Sequence, residues 1–182
     1  FTVADQPSVA FAMVDALAAL HDFDWRGSSL SDFGKPDGFH ERQVERWTGQ
    51  LASYNGRELP GLHHVTTFLS ENLPGSFEPS LMHGDFHMFN ALISSEPPGE
   101  VRAIIDWETA TIGDPLLDLG ALIASWPDAE GKSPLGNTTG VMSGLPSIPE
   151  MITHYGERTT RNLDAVDWYV VLACYRLGII LE

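Results

Sequence analysis

The sequence predicts an α+β fold that is mostly α, on three observations. Apolar residues recur every three or four positions through long stretches at both ends of the chain, which is the period of amphipathic helices. Only three short runs near the middle, Leu81-Met82, Ala91-Leu92-Ile93 and Val101 to Ile105, have the aliphatic character of strands. With 43% hydrophobic and 19% charged residues over 182 positions, the chain can bury one sizeable core, which excludes a disordered segment.

The elements follow in order. Val9, Met13, Ala16, Leu17 and Leu20 give a first helix ending near His21-Asp22. Asp24 to Gly38, with four glycines or prolines, reads as a loop. A second helix starts after Pro36-Asp37-Gly38 and carries Val44, Trp47, Leu51 and Tyr54 on one face. A third carries Leu62, Val65, Phe68 and Leu69 and stops before Pro74-Gly75. Ser94 to Glu100 joins the last two strand runs as a hairpin. Asp114 before Pro115 is a helix start, because the carboxylate accepts free backbone N–H groups and proline fits the first helical position. Ser125 to Pro149, rich in proline and glycine, reads as a long surface segment and a candidate substrate lid. Helices over roughly Pro149 to Thr160 and Asp164 to Leu181 complete the chain, the second apolar on several faces as a buried helix is.

Chemistry concentrates in one stretch. His83-Gly84-Asp85-Phe86-His87-Met88-Phe89-Asn90 is followed, after a Pro-Pro-Gly turn, by Ile104-Ile105-Asp106-Trp107-Glu108. An Asp, an Asn five residues on, and a second Asp closing an apolar strand are what a magnesium-dependent kinase needs to hold an acceptor hydroxyl beside a metal-bound nucleotide. Asp85 accepts or orients the hydroxyl proton, while Asn90 and Asp106 offer the oxygen ligands that magnesium favours.

A third motif, Gly113-Asp114-Pro115-Leu116-Leu117-Asp118-Leu119, follows in order. With these three motifs the chain resembles the aminoglycoside phosphotransferase and choline kinase-like family of small-molecule kinases. The resemblance implies a protein-kinase-like carboxy-terminal lobe, with a helical scaffold and a short β-hairpin carrying the catalytic and metal-binding loops. It implies Asp85 as the catalytic residue, Asn90 and Asp106 as ligands of Mg2+ carried with ATP or GTP, and Asp118 as a brace for the catalytic loop. His83 and His87 are expected to support that loop, with contact to acceptor or phosphate as the other reading of His87. Family members phosphorylate hydroxyls of small molecules such as aminoglycosides, choline, homoserine or hydroxyacyl thioesters. The Asp-Trp-Glu and Gly-Asp-Pro-Leu-Leu-Asp-Leu-Gly stretches are most similar to the branch attached to acyl-CoA dehydrogenases, which points to a hydroxyacyl acceptor.

A family member also has a small amino-terminal lobe with a phosphate-covering loop and a strand Lys. The only lysines here, Lys35 and Lys132, sit in turn-like sequence, and no Gly-x-Gly-x-x-Gly is present. Residues 1–182 are therefore expected to be the carboxy-terminal lobe alone, cut at both ends and inactive as an isolated fragment. Two other readings use the same residues. One is a kinase-like lobe that binds without catalysis. The other is a dinuclear metallophosphoesterase, which Gly84-Asp85-Phe86-His87 and the Asp114/Asp118 pair superficially match, although the expected later His motif is missing.

Composition narrows the partners. A net charge of -15 with only ten scattered Lys and Arg argues against nucleic acid, so the expected partners are a nucleotide and a small hydroxyl-bearing acceptor. The single Cys174, set among Val170, Val171, Leu172 and Leu177, reads as a core thiol and fits a reducing cytoplasm. No apolar run reads as reaching the ~18 to 20 residues of a membrane span, so no membrane partner is expected. His63-His64 and His40-Glu41 read as helix-surface residues, and Trp25, Trp47, Trp126 and Trp168 as core or interface aromatics.

Overall fold

The computed structural model describes residues 1–54, 59–127, 132 and 144–182. Six α-helices are present among them: α1 (Gln6–His21), α2 (Phe39–Ala52), α3 (Leu62–Glu71), α4 (Leu116–Ser125), α5 (Ile148–Gly156) and α6 (Val166–Ile180). Four short strands make two antiparallel ribbons. β2 (Ala91–Ile93) pairs with β3 (Val101–Ile104) as the expected hairpin, and β1 (Ser80–Met82) pairs with β4 (Thr111–Gly113). Most of the segment expected to act as a lid, Ser125 to Pro149, lies outside the described residues.

The helices begin where their sequences supply N-terminal chemistry. Pro7 opens α1, and α5 starts with a capping box in which the Glu150 carboxylate accepts the Ser147 N–H at 2.8 Å. At α4 the first helical residue is Leu116, one later than the sequence predicts, and Asp114 Oδ1 accepts its N–H at 3.1 Å. The core gathers Met13, Val14 and Leu17 of α1, Leu119 and Leu122 of α4, Met151 and Tyr155 of α5, and Tyr169 and Leu172 of α6. α6 lies along α4 with its Trp168, Tyr169, Leu172 and Ile179 buried, as a helix apolar on several faces should.

Four expectations need correction. β4 was not among the expected strands, because three residues give no period to read; it exists by pairing with β1, with Ile112 opposite Leu81. Cys174 is exposed, since α6 turns one flank of its second half outward. α2 ends at Ala52, so Tyr54 lies past its end and is bonded back to Gln50. Finally, a short 3-10 turn at Val3–Asp5 runs into α1 and makes 19 continuous helical residues, Val3–His21, with mean hydropathy 1.3, long and apolar enough to cross a membrane. One face of the segment joins the core, with Ala10, Met13, Val14 and Leu17 buried, while Asp15 pairs with His154 and Arg158.

Candidate active site

Residues 83–90 leave β1 and enter β2, so the loop is fixed at both ends by strands. Phe86 is fully buried beneath it and anchors its middle. Gly84 adopts φ +86°, where a Cβ would collide with the Thr109 carbonyl, so this tight approach requires glycine.

Asp118, one turn into α4, is buried under the loop. Its Oδ2 accepts the His83 N–H at 2.6 Å and its Oδ1 accepts the Gly84 N–H at 2.7 Å. His83, also buried, reaches Ile105 O through Nε2 at 2.8 Å and accepts the Asp85 N–H at Nδ1, 3.3 Å away. That pattern makes Nε2 the donor and Nδ1 the acceptor. The same His ring meets Trp107 edge-on, 4.9 Å between centroids, while Trp107 donates to Ile104 O at 2.7 Å. One histidine thus ties the Asp85 loop to the Asp106 turn.

Asp85 itself is about half exposed, with His87 Nε2 3.4 Å from its Oδ2. His87 caps the short turn Met88–Asn90, accepting the Phe89 N–H at Nδ1. The His87 contact holds the Asp85 carboxyl below the usual carboxylate range, partial burial opposes it, and the charges of His87 and Arg176 add to the lowering. Asp85 is therefore an ionised acceptor at neutral pH.

Asn90 is buried, and its Nδ2 donates to Asp85 O at 3.0 Å, which leaves Oδ1 as its acceptor atom. The Ile105 N–H donates to Asn90 O at 2.9 Å, continuing the β2/β3 ladder, and Asp106 is the next residue past the hairpin's end. Asp106 has φ 66° and ψ 59°, a left-handed conformation that costs an L-residue about 1 kcal/mol and is tolerated best by Asn and Asp. The turn through residues 104–109 is held in that shape by Trp107 and by the Thr109 hydroxyl, which donates to His83 O at 3.0 Å.

This oxygen-only donor set fits magnesium. Among the described residues no group of three or more His, Cys, Asp or Glu could hold a metal unaided. Magnesium bound with a nucleotide takes one or two protein oxygens, with phosphates and water completing its shell. The dinuclear arrangement fits poorly: Asp118 spends both oxygens on backbone N–H groups, and Asp114 is buried against His40 and Tyr169.

Several residues of this region were not singled out from sequence. Arg176, on α6 and nearly buried, donates through Nη2 to Gly84 O at 2.7 Å and lies over the Trp47 ring, 5.0 Å from its centroid. His21 is buried with Nε2 3.4 Å from Asp118 Oδ2 and Nδ1 2.8 Å from Tyr155 Oη. His40, expected on a helix surface, is instead buried, 2.8 Å from Asp114 Oδ2 and 3.1 Å from the Tyr169 hydroxyl. An arginine within the apolar pattern of α6 was the one available signal; the two histidines carried none, because their partners are 74 or more residues away in sequence.

The chain is similar to known proteins in sequence and in fold. The human acyl-CoA dehydrogenase family member 11 is 33% identical over 175 residues, which is 93% of this chain and 22% of that protein. The Arabidopsis thaliana probable acyl-CoA dehydrogenase IBR3 is 29% identical, over 91% of this chain and 22% of its own length. The chain thus spans about a fifth of the curated relatives it matches. A solved Ralstonia eutropha protein assigned as an aminoglycoside phosphotransferase superposes with a TM-score of 0.85 at 27% identity, covering all of this chain and 56% of that one. A macrolide 2'-phosphotransferase type I shares the fold at 16% identity, with a TM-score of 0.70. The sequence profile of the phosphotransferase enzyme family matches residues 2–140, and the chain belongs to that family.

Proposed function

We propose that this chain is the carboxy-terminal lobe of a kinase that moves the γ-phosphate of ATP or GTP to a hydroxyl of a small molecule. The observation that supports the reading is that Asn90, at one end of the β2/β3 hairpin, bonds the Asp85 carbonyl and pairs with Ile105, the residue before Asp106. The acceptor hydroxyl hydrogen-bonds to the Asp85 carboxylate, which orients its oxygen for in-line attack on the γ-phosphorus. As the new O–P bond forms and the bond to the bridging oxygen breaks, the proton passes toward Asp85. A carboxylate with a lowered pKa is a weak base toward an alcohol, so orientation and late proton acceptance are its main contributions. Asn90 Oδ1 and the Asp106 carboxylate would hold magnesium, which supplies charge neutralisation at the phosphates when bound.

Phe89, Leu92, Ile105 and Trp107 are exposed around the same hairpin. That apolar surface suits a nucleobase and the small lobe expected to cover it, which would also supply the phosphate-covering loop and its Lys. Without that lobe, turnover by these 182 residues should be negligible. Relatives named for acyl-CoA dehydrogenases favour a hydroxyacyl thioester over an aminoglycoside as acceptor. The same reading puts the enzyme in the cytoplasm, where Cys174, the one thiol of these 182 residues, would stay reduced. Calorimetry of magnesium–ATP and magnesium–GTP binding, to this chain and to the chain joined to an upstream small lobe, tests the split site. Binding to the two-lobe protein alone is expected; absence from both would leave a non-catalytic binding module.

A further inference from the structure

We infer that a cavity beside the proposed active site holds an anionic group, phosphate or carboxylate, of the hydroxyl-bearing acceptor. The cavity measures about 530 Å³ and is lined by Lys35, Arg42 and Arg46, with Glu45, Glu108 and Thr109. Three of only ten cationic side chains in a chain of net charge -15 meet there. They lie within twelve residues of one another, and the fold turns them to one cavity.

The assembly is specific. Gly34 bridges Ile112 of β4, and the Ile112 N–H donates to Phe33 O at 3.3 Å. A Cβ at Gly34 would stand 2.7 Å from the Ile112 nitrogen, so only glycine lets the loop before Lys35 pass this close to β4. Arg42 grips the same loop through the carbonyls of Lys35 and Asp37. Arg46, one turn further along α2, shares its face and leans over the Trp47 ring.

Among the described residues, none of the three cations forms an ion pair with a carboxylate, whereas Arg26, Arg102 and Arg158 each do. Like charges on one helix face repel, and a bound anion relieves that repulsion through charge-assisted hydrogen bonds. The cavity is also joined to the catalytic loop. Thr109, in its wall, donates to His83 O at 3.0 Å, and its carbonyl packs against Gly84, the residue before Asp85. An acceptor anchored here by its anion would present its hydroxyl along the turn that leads from Asp106. The role given to the anion rests on the phosphotransferase reading; its binding does not.

The test is calorimetric titration of the 182-residue chain with inorganic pyrophosphate and, separately, with citrate, at low ionic strength and without magnesium or nucleotide. Saturable binding is expected, weakened about tenfold or more in the Lys35→Gln/Arg46→Gln double variant and tightened in Glu45→Gln. Preference for pyrophosphate identifies the anion as phosphate, and preference for citrate as carboxylate. Both substituted positions are exposed, and helical circular dichroism checks that the fold is intact. Failure of both anions to bind, or equal weakening by Arg102→Gln on β3, would overturn the inference. Anion binding by a chain whose two-lobe form binds no nucleotide would sink the kinase reading and leave this site standing.

Discussion

Asp118 Oδ1 accepts the Gly84 N–H at 2.7 Å, from a position 34 residues further along the chain. With the companion bond from the His83 N–H to Oδ2, a single carboxylate satisfies two successive backbone donors beneath the proposed catalytic residue. Both donors are buried, so neither finds water if the carboxylate is lost.

Asp118→Ala should therefore cost roughly 2–5 kcal/mol of folding stability and activity together, since two buried N–H groups lose their acceptor. Urea unfolding alongside a transfer assay checks this. An unchanged melting temperature with lost activity would assign Asp118 a direct catalytic role instead.

Gly84→Ala should be as damaging by another route. The added methyl meets the Thr109 carbonyl, and φ +86° strains any L side chain. A loss of about 2 kcal/mol or more is expected in thermal unfolding, with the Asp85 loop displaced. A variant as stable and as active as the parent would show that the loop is not tightly held.

His21 predicts an acid sensitivity. Burial is the main cause that lowers its pKa below the ordinary 6.5, against the raising influence of Asp118; Arg161 lowers it further. Above that ordinary value both folded and unfolded imidazoles are neutral, and stability is full. Below it the unfolded chain takes the proton first, so stability falls with pH until the folded ring also titrates. Melting temperature against pH should fall below about 6.5 in the parent and less steeply in His21→Gln. Parallel curves would contradict this.

Arg176 and His87 should appear in the pH profile of transfer by the two-lobe enzyme. Both lower the Asp85 pKa, His87 more than Arg176, so removing either raises it. The acid limb of kcat/KM should move to higher pH in Arg176→Met and further in His87→Ala, while Arg176→Lys keeps most of the parent profile. Unmoved limbs would mean that Asp85 ionisation does not control the rate.

What the sequence discloses depends on how far apart the interacting residues lie. The motif of residues 83–90 is contiguous, and the β2/β3 hairpin is local, so both were legible. The first three helices were legible from an apolar period, and α4 from its Asp114-Pro115 start. β4 has three residues and depends on β1 across the catalytic loop. The burial of His40 depends on Asp114 and Tyr169, and that of Arg176 on a carbonyl 92 positions away; no local pattern carries such pairings. Cys174 shows the converse: apolar neighbours in sequence do not reveal which flank of a helix is covered. The three cations of the basic cavity are close in sequence, but the wall they share with Glu108 and Thr109 exists only in the fold.

In the proposed reaction Asp85 serves the acceptor, while Asp106 serves the metal-bound nucleotide. The direct measurement is phosphate transfer and magnesium–nucleotide affinity in the two-lobe protein carrying Asp85→Ala or Asp106→Ala. Asp85→Ala should abolish transfer and leave nucleotide affinity largely intact, whereas Asp106→Ala should weaken magnesium–nucleotide binding and transfer together. Near-parental turnover by both variants would contradict these two roles.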